Sequence, residues 1–175
     1  VNVTDAPAEI QAFNQQAWPV ISTTGLAHVL RDAPHAGDEL SPALAALWVS
    51  GQAWRATDLF EAQAVVRRLV RALGAVFGAH DLVLSPCSAA LPWPADQSHP
   101  PVIDAQPVDG RGHAVFTAFV NASGLPALAL PAGRAGHLPV GVQLVAPAGG
   151  DALLLAMGLQ WEQAGGSTTE WPLWP

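Results

Sequence analysis

No lysine occurs anywhere in this chain, cysteine occurs once, at position 87, and only 12% of the residues are charged. Each scarcity closes off a class of protein. With a lone cysteine no intramolecular disulfide can form, and a reducing compartment suits the sequence. Without lysine every base is an arginine, and fourteen acidic residues outweigh seven basic ones for a net charge of -7. Such a chain lacks the basic face that grips phosphate backbones, so nucleic acid is not an expected partner. No apolar run approaches the roughly 18 residues of a membrane span. The opening VNVTDAPAE also lacks the basic and then apolar pattern of a signal peptide, so a cytoplasmic protein with no membrane partner is the expectation. His28, His35, His80, His99 and His137 are scattered, with no i,i+4 pair and no second cysteine, and neither a metal nor a cofactor is expected.

What is present in quantity is apolar surface. Hydrophobic residues make up 50% of the chain, while its charged share is about half that of an ordinary soluble domain. A chain this poor in charge either has a bland surface or hides part of it against something else. Its 175 residues suit a single domain spanning 1–175 with a sizeable core. Glycine and proline, sixteen of each, punctuate apolar segments and read as turns and caps.

Asp5 and Pro7 mark a helix start, after which Ile10, Phe13 and Ala17 share a face, and Pro19 is expected to kink or end the element. Arg31 to Glu39 reads as a loop. Ser41-Pro42 repeats the cap signal before a short helix carrying Leu44, Leu47 and Trp48. The clearest helix runs from about Thr57 to Phe77, with Phe60, Val66, Leu69, Val70, Leu73, Val76 and Phe77 as its apolar stripe, and Gly78 ends it. Asp81 to Ser85 reads as a short buried strand.

From Pro86 to Gly112 prolines recur without periodicity, and a flexible loop is expected there. His113 to Ser123 reads as a helix, with Gly124 as its left-handed cap. Strands at Ala127–Leu130 and Val140–Val145 follow, joined by a turn around Gly133 to Pro139. Both strands are apolar at odd and even positions alike, which predicts burial on both faces. The last helix starts at Gly149-Gly150-Asp151, places Leu154, Met157 and Trp161 on one face, and stops at Gly165-Gly166. The order implies an α/β fold, a partial mixed β-sheet flanked by helices.

Asp81-Leu-Val-Leu-Ser-Pro86, Phe116-Thr117, Asn121-x-x-Gly124-Leu125-Pro126-Ala127-Leu128, Pro131-Ala132-Gly133 and Leu138-Pro139-Val140-Gly141-Val142-Gln143-Leu144-Val145 together resemble the C-terminal part of the amidase signature family. Gly141 within this block admits close approach of a neighbouring backbone. The resemblance implies a C–N hydrolase fold and, in the whole enzyme, hydrolysis of a small amide. It also implies a serine nucleophile, a second serine in a cis peptide and a lysine, with the serines in a Gly/Ser-rich segment ahead of the part matched here. These residues contain neither that segment nor a lysine, so the chain alone is expected to be inactive.

Three explanations follow: a fragment of a longer amidase, one chain of a split enzyme, or a relic with another role. The low charge favours the first two, because a sheet cut through its middle exposes an apolar face and edge. The expected partner is then an N-terminal amidase half, on the same or a separate chain, or a second copy of this one. The alternative is a non-catalytic module that binds a partner chain through its apolar sheet edge. In the family's glutamine-processing amidotransferases, an acidic residue usually stands just before the position matched by Val115. Here it is Ala114, which points to a generic amidase with an apolar or aromatic substrate.

The family's loop after the first strand comes near the acyl pocket, which makes Pro86, Cys87, Trp93, Phe116 and Thr117 the candidate pocket residues. A self-contained alternative pairs Ser85, Cys87 or Ser88 with His99 or His113 and with Asp96, Asp104 or Asp109. Against it, no G-x-S-x-G elbow is present, and Ala122-Ser123-Gly124 lacks the first glycine. Cys87 also suits a buried apolar position after a strand, and His113 a helix start. Of the tryptophans at 18, 48, 54, 93, 161, 171 and 174, Trp48 and Trp161 fit helix faces, and Trp93 is the one best placed for a ligand.

Overall fold

The computed structural model describes residues 5–32 and 39–166. Most of the loop expected at Arg31–Glu39, together with Trp171 and Trp174, lies outside the described residues. The chain divides into two compact units between Leu73 and Gly74. The sequence reads as one domain, and no linker separates the units, because the division falls within a helix.

The first unit is helical. Helix α1 (Ala8–Ala12) runs through a π-turn (Phe13–Ala17) into α2 (Trp18–Val29). Pro19 therefore does not end the element. Proline cannot donate to the carbonyl one α-turn back, and the wider turn just before it absorbs the mismatch, with the Trp18 N–H reaching the carbonyl of Phe13. Phe13 and Ala17 are fully buried, as their shared face requires.

Ser41 caps α3 (Pro42–Ala53), its hydroxyl accepting from the Leu44 N–H at 3.4 Å with Pro42 in the first turn. That helix buries Gly51, half-buries Leu47 and Trp48 of the expected face and leaves Leu44 exposed. A Cβ at Gly51 would sit 3.1 Å from the Ala27 Cβ and inside the Thr23 carbonyl, so the glycine is what lets α3 lie close on α2. The Trp54 indole N–H donates to Thr23 Oγ1 at 2.9 Å, and that hydroxyl donates on to the Pro19 carbonyl at 2.6 Å.

Helix α4 (Ala56–Phe77) has the predicted extent. At its start the Asp58 carboxylate accepts from the backbone N–H and the guanidinium of Arg55, both at 2.8 Å, and these bonds hold the carboxyl below its ordinary range. Its buried stripe is Ala62, Val65, Leu69 and Leu73, narrower than the sequence suggests. Phe60 is 66% exposed, with the Arg67 guanidinium 5.5 Å above its ring.

The second unit is built on a three-stranded antiparallel sheet in the order β1-β5-β4, formed by β1 (Val83–Pro86), β4 (Ala127–Ala135) and β5 (Leu138–Val145). Strands β4 and β5 run further than predicted, and a two-residue turn, Gly136-His137, joins them. A bulge permits the extension: Pro131 pairs with Gly141 and Arg134 with Pro139, so Ala132 and Gly133 together oppose Val140, with Gly133 at φ +100°.

Central β5 buries Gln143 and Val145 on one face, while Leu130 of β4 is buried on the other. Strand β4 departs from the two-faced burial predicted for it, and β1 from the buried strand expected. Leu84 of β1 is 56% exposed, Ala127 and Ala129 of β4 are exposed, and the outer sides of β1 and β4 pair with no strand among the described residues.

Two short helical segments flank the sheet. The helix predicted from His113 begins as a 3-10 turn (Gly112–Ala114) and becomes α5 only at Ala118–Ser123. It ends at Gly124 with φ +69°, where Leu125 N–H bonds the Val120 carbonyl and Gly124 N–H that of Asn121, the paired bonds of a Schellman cap. Helix α6 (Asp151–Gln163) packs on β4: a Cβ at Gly158 would meet Leu128 at 2.8 Å, and the Trp161 indole donates to the Pro131 carbonyl at 3.0 Å. Leu154 is buried as predicted, whereas its neighbour Leu155 is 69% exposed.

Candidate functional site

Gln143 is the buried polar side chain of the second unit, only 6% exposed in an otherwise apolar strand. Its amide donates to the Phe116 carbonyl at 2.9 Å and to Ser85 Oγ at 3.3 Å, which ties β1, β5 and the segment before α5 at one point. A buried amide left without these partners is costly, so the arrangement fixes where Phe116 and Thr117 lie. Thr117 Oγ1 donates to the Ala114 carbonyl at 3.2 Å. Sequence reasoning did not single out Gln143, although one amide in an apolar run was the available signal.

Pro86 ends β1, paired with Val142. The Cys87 N–H donates to the Gly141 carbonyl at 3.1 Å, and a Cβ at Gly141 would stand 3.3 Å from both the Cys87 Sγ and the Leu130 carbonyl. Gly141 thus makes room for the thiol as well as for a backbone. Burial pushes that thiol above its ordinary range, which disfavours the reactive thiolate.

The proline-rich stretch carries a short hairpin that its composition does not announce. Two-residue strands β2 (Val102–Ile103) and β3 (Gln106–Pro107) pair across Asp104-Ala105, both with positive φ, +49° and +57°, the sign pattern of a tight hairpin turn. Ala89 N–H donates to the His113 carbonyl at 2.9 Å. The Trp93 ring lies 4.9 Å from the His113 ring at an interplanar angle of 53°, and its indole N–H donates to the Gln97 carbonyl at 3.0 Å.

These contacts bring Trp93 and the start of the loop to His113, and Phe116 to Ser85 through Gln143. Trp93 lines a cleft of about 440 Å³ formed by residues between 89 and 104; Pro86, Cys87, Phe116 and Thr117 do not line it.

The self-contained nucleophile does not assemble among the described residues. Ser85 accepts from Gln143, Ser88 donates to the His113 backbone carbonyl at 3.4 Å, and His99 bonds its neighbour Ser98 at 2.9 Å. His113 Nδ1 is buried with no hydrogen-bond partner. None of Ser85, Cys87 and Ser88 meets an imidazole. The described residues also hold no group of three or more His, Cys, Asp or Glu placed for a metal ion, and no helix among them is long and apolar enough to cross a membrane.

A model of the amidase family matches residues 34–155, well over half of the chain. This chain belongs to the amidase family, as the hairpin block implied. It is 43% identical over 103 residues to the A component of the glutamyl-tRNA(Gln) amidotransferase of Thermus thermophilus, covering 59% of this chain and 21% of that protein. Against the same component from Deinococcus radiodurans it is 38% identical over 121 residues, or 66% and 24%.

Among solved structures, an amidase superposes with a TM-score of 0.79 at 23% identity, covering 89% of this chain and 36% of the other. A bacterial aryl acylamidase of the amidase signature family gives 0.74 at 22%, covering 90% and 34%. These likenesses establish the fold. The chain spans about a fifth to a quarter of the curated relatives it matches and about a third of the solved structures.

Proposed function

We propose that this chain is the C-terminal, non-catalytic portion of an amidase signature hydrolase, and that it works on carboxylic amides only together with the portion bearing the family's two serines and lysine. The observation that carries this reading is a mismatch: a family member by fold and sequence has no lysine in 175 residues and spans a minor share of its relatives. The unpaired outer sides of β1 and β4 and the exposed Leu84 supply a seat for that portion, on the same or a separate chain, or for a second copy. The same unpaired edges favour a second reading, a module that binds a partner chain without taking part in hydrolysis. Ala114, where the family's glutamine-processing members usually carry an acidic residue, favours a generic amidase with an apolar or aromatic substrate, and a cytoplasmic location fits this reading.

The purified chain, assayed against aliphatic and aromatic amides, is expected to give no turnover. Turnover that persists through purification and disappears in Cys87→Ala or His113→Ala would overturn the reading and make the loop an active site. A lysine-bearing, Gly/Ser-rich coding segment next to this one separates the hydrolase portion from the binding module.

A further inference from the structure

The cleft of about 440 Å³ in the second unit falls within the usual size of small-ligand pockets, about 300 to 1,000 Å³. Its chemistry is one-sided. Pro92, Pro94, Pro100 and Pro101 line it and have no N–H to offer. Its tryptophan, Trp93, already spends its indole N–H on the Gln97 carbonyl, and no arginine or histidine is among the lining residues. The four prolines and the tryptophan therefore add apolar rings and no free donor to the lining.

Asp104 is the charged residue of the lining. It stands exposed at the hairpin turn with φ +49°, and among the described residues its carboxylate makes no ion pair or hydrogen bond. Trp93 is contacted both by the Gln97 carbonyl and by the His113 ring. A tryptophan face attracts cations, and a free carboxylate does so more strongly.

We propose that this cleft binds small primary amines, with an apolar or aromatic body against Trp93 and the proline rings and the protonated amino group at Asp104. Ligands of the opposite sign are rejected twice, by Asp104 and by the net charge of -7. The inference rests on the cleft alone and holds whether or not the chain is part of a hydrolase.

The test titrates benzylamine, benzyl alcohol and benzoate in turn into the full 175-residue chain, read by amide chemical shifts. Benzylamine is expected to give saturable shifts within residues 89–104, with a Kd near the millimolar range. Benzoate should bind at least about tenfold more weakly. Asp104→Asn, which keeps a side chain that tolerates positive φ, should weaken benzylamine about fivefold and leave benzyl alcohol unchanged. Trp93→Ala should weaken both. Should that variant lose its fold, Asp104→Asn decides, since the position is exposed. The proposal is overturned by benzoate binding as tightly as benzylamine, by an unchanged benzylamine affinity in Asp104→Asn, or by shifts that are absent or lie outside the cleft.

Discussion

The helical unit and the sheet unit solve the same problem, burial of an apolar sequence, with different degrees of closure. In the first, the backbone groups in the interior of a helix are satisfied by that helix and its ends need only local caps such as Ser41, and contact is regulated by side-chain size, as Gly51 on Thr23 demonstrates. In the second, the central strand is complete while the outer strands keep one side of each ladder open. Sheets, unlike helices, need a neighbour to finish their hydrogen bonds, so a part of a fold that is cut through a sheet retains an adhesive border.

The largest effect expected from this contrast is association. At tens of micromolar the chain should scatter light as a dimer or larger species, since the open sides of β1 and β4 and the exposed Leu84 invite pairing with another copy. A strictly monomeric 18.1 kDa particle across a dilution series would mean that the open strands close on themselves, and the contrast between the units would break.

Next in size is Gly51→Val, which drives a branched side chain into the α2 backbone and should destabilise the helical unit by about 2–3 kcal/mol, read as a lowered melting temperature. An unchanged melt would show that α3 can slide along α2. Gly124→Val places a β-branched residue at φ +69° and should cost about 1–3 kcal/mol. It exceeds Ser88→Ala, which removes the acceptor of the Ala90 N–H and should cost roughly 0.5–1 kcal/mol. Equal melts for the two would deny the Schellman cap. Smallest is Gly74→Ala: a Cβ there meets nothing within 4 Å, and the helix should gain roughly 0.5–1 kcal/mol.

Elements announced by backbone chemistry were legible before the fold was known. Ser41-Pro42 starts a helix, Gly124 and Gly165-Gly166 stop two others, and the period of residues 57–77 yields a helix of the right length. Orientation was harder to read. Choosing the stripe of α4 by bulk selected Phe60 and Val70, which are exposed, and passed over Ala62, which is buried, because a close packing surface admits small residues as readily as large ones.

The loop from 86 to 112 hid its hairpin for a related reason. Asp104-Ala105 is not the Asn-Gly pair that advertises such a turn, and dense prolines mask a two-residue strand. In the candidate site, Trp93 stood out by composition. Its partner His113 and the tie made by Gln143 depend on pairings 20 and 27 residues apart in the chain, which no local pattern encodes.

The bulge at Ala132-Gly133 isolates the far end of the β4–β5 hairpin. Beyond it the two strands continue in their own register to Gly136-His137, and the Arg134 guanidinium is occupied locally, donating to the His137 carbonyl at 2.8 Å. Because the ladder is already interrupted there, an insertion at the tip is expected to leave the pairing of Gly141 and Gln143 in place. For an engineer this end of the ribbon is the natural splice point, a place where a foreign peptide or a fluorescent reporter can be grafted while the Gln143 junction stays intact.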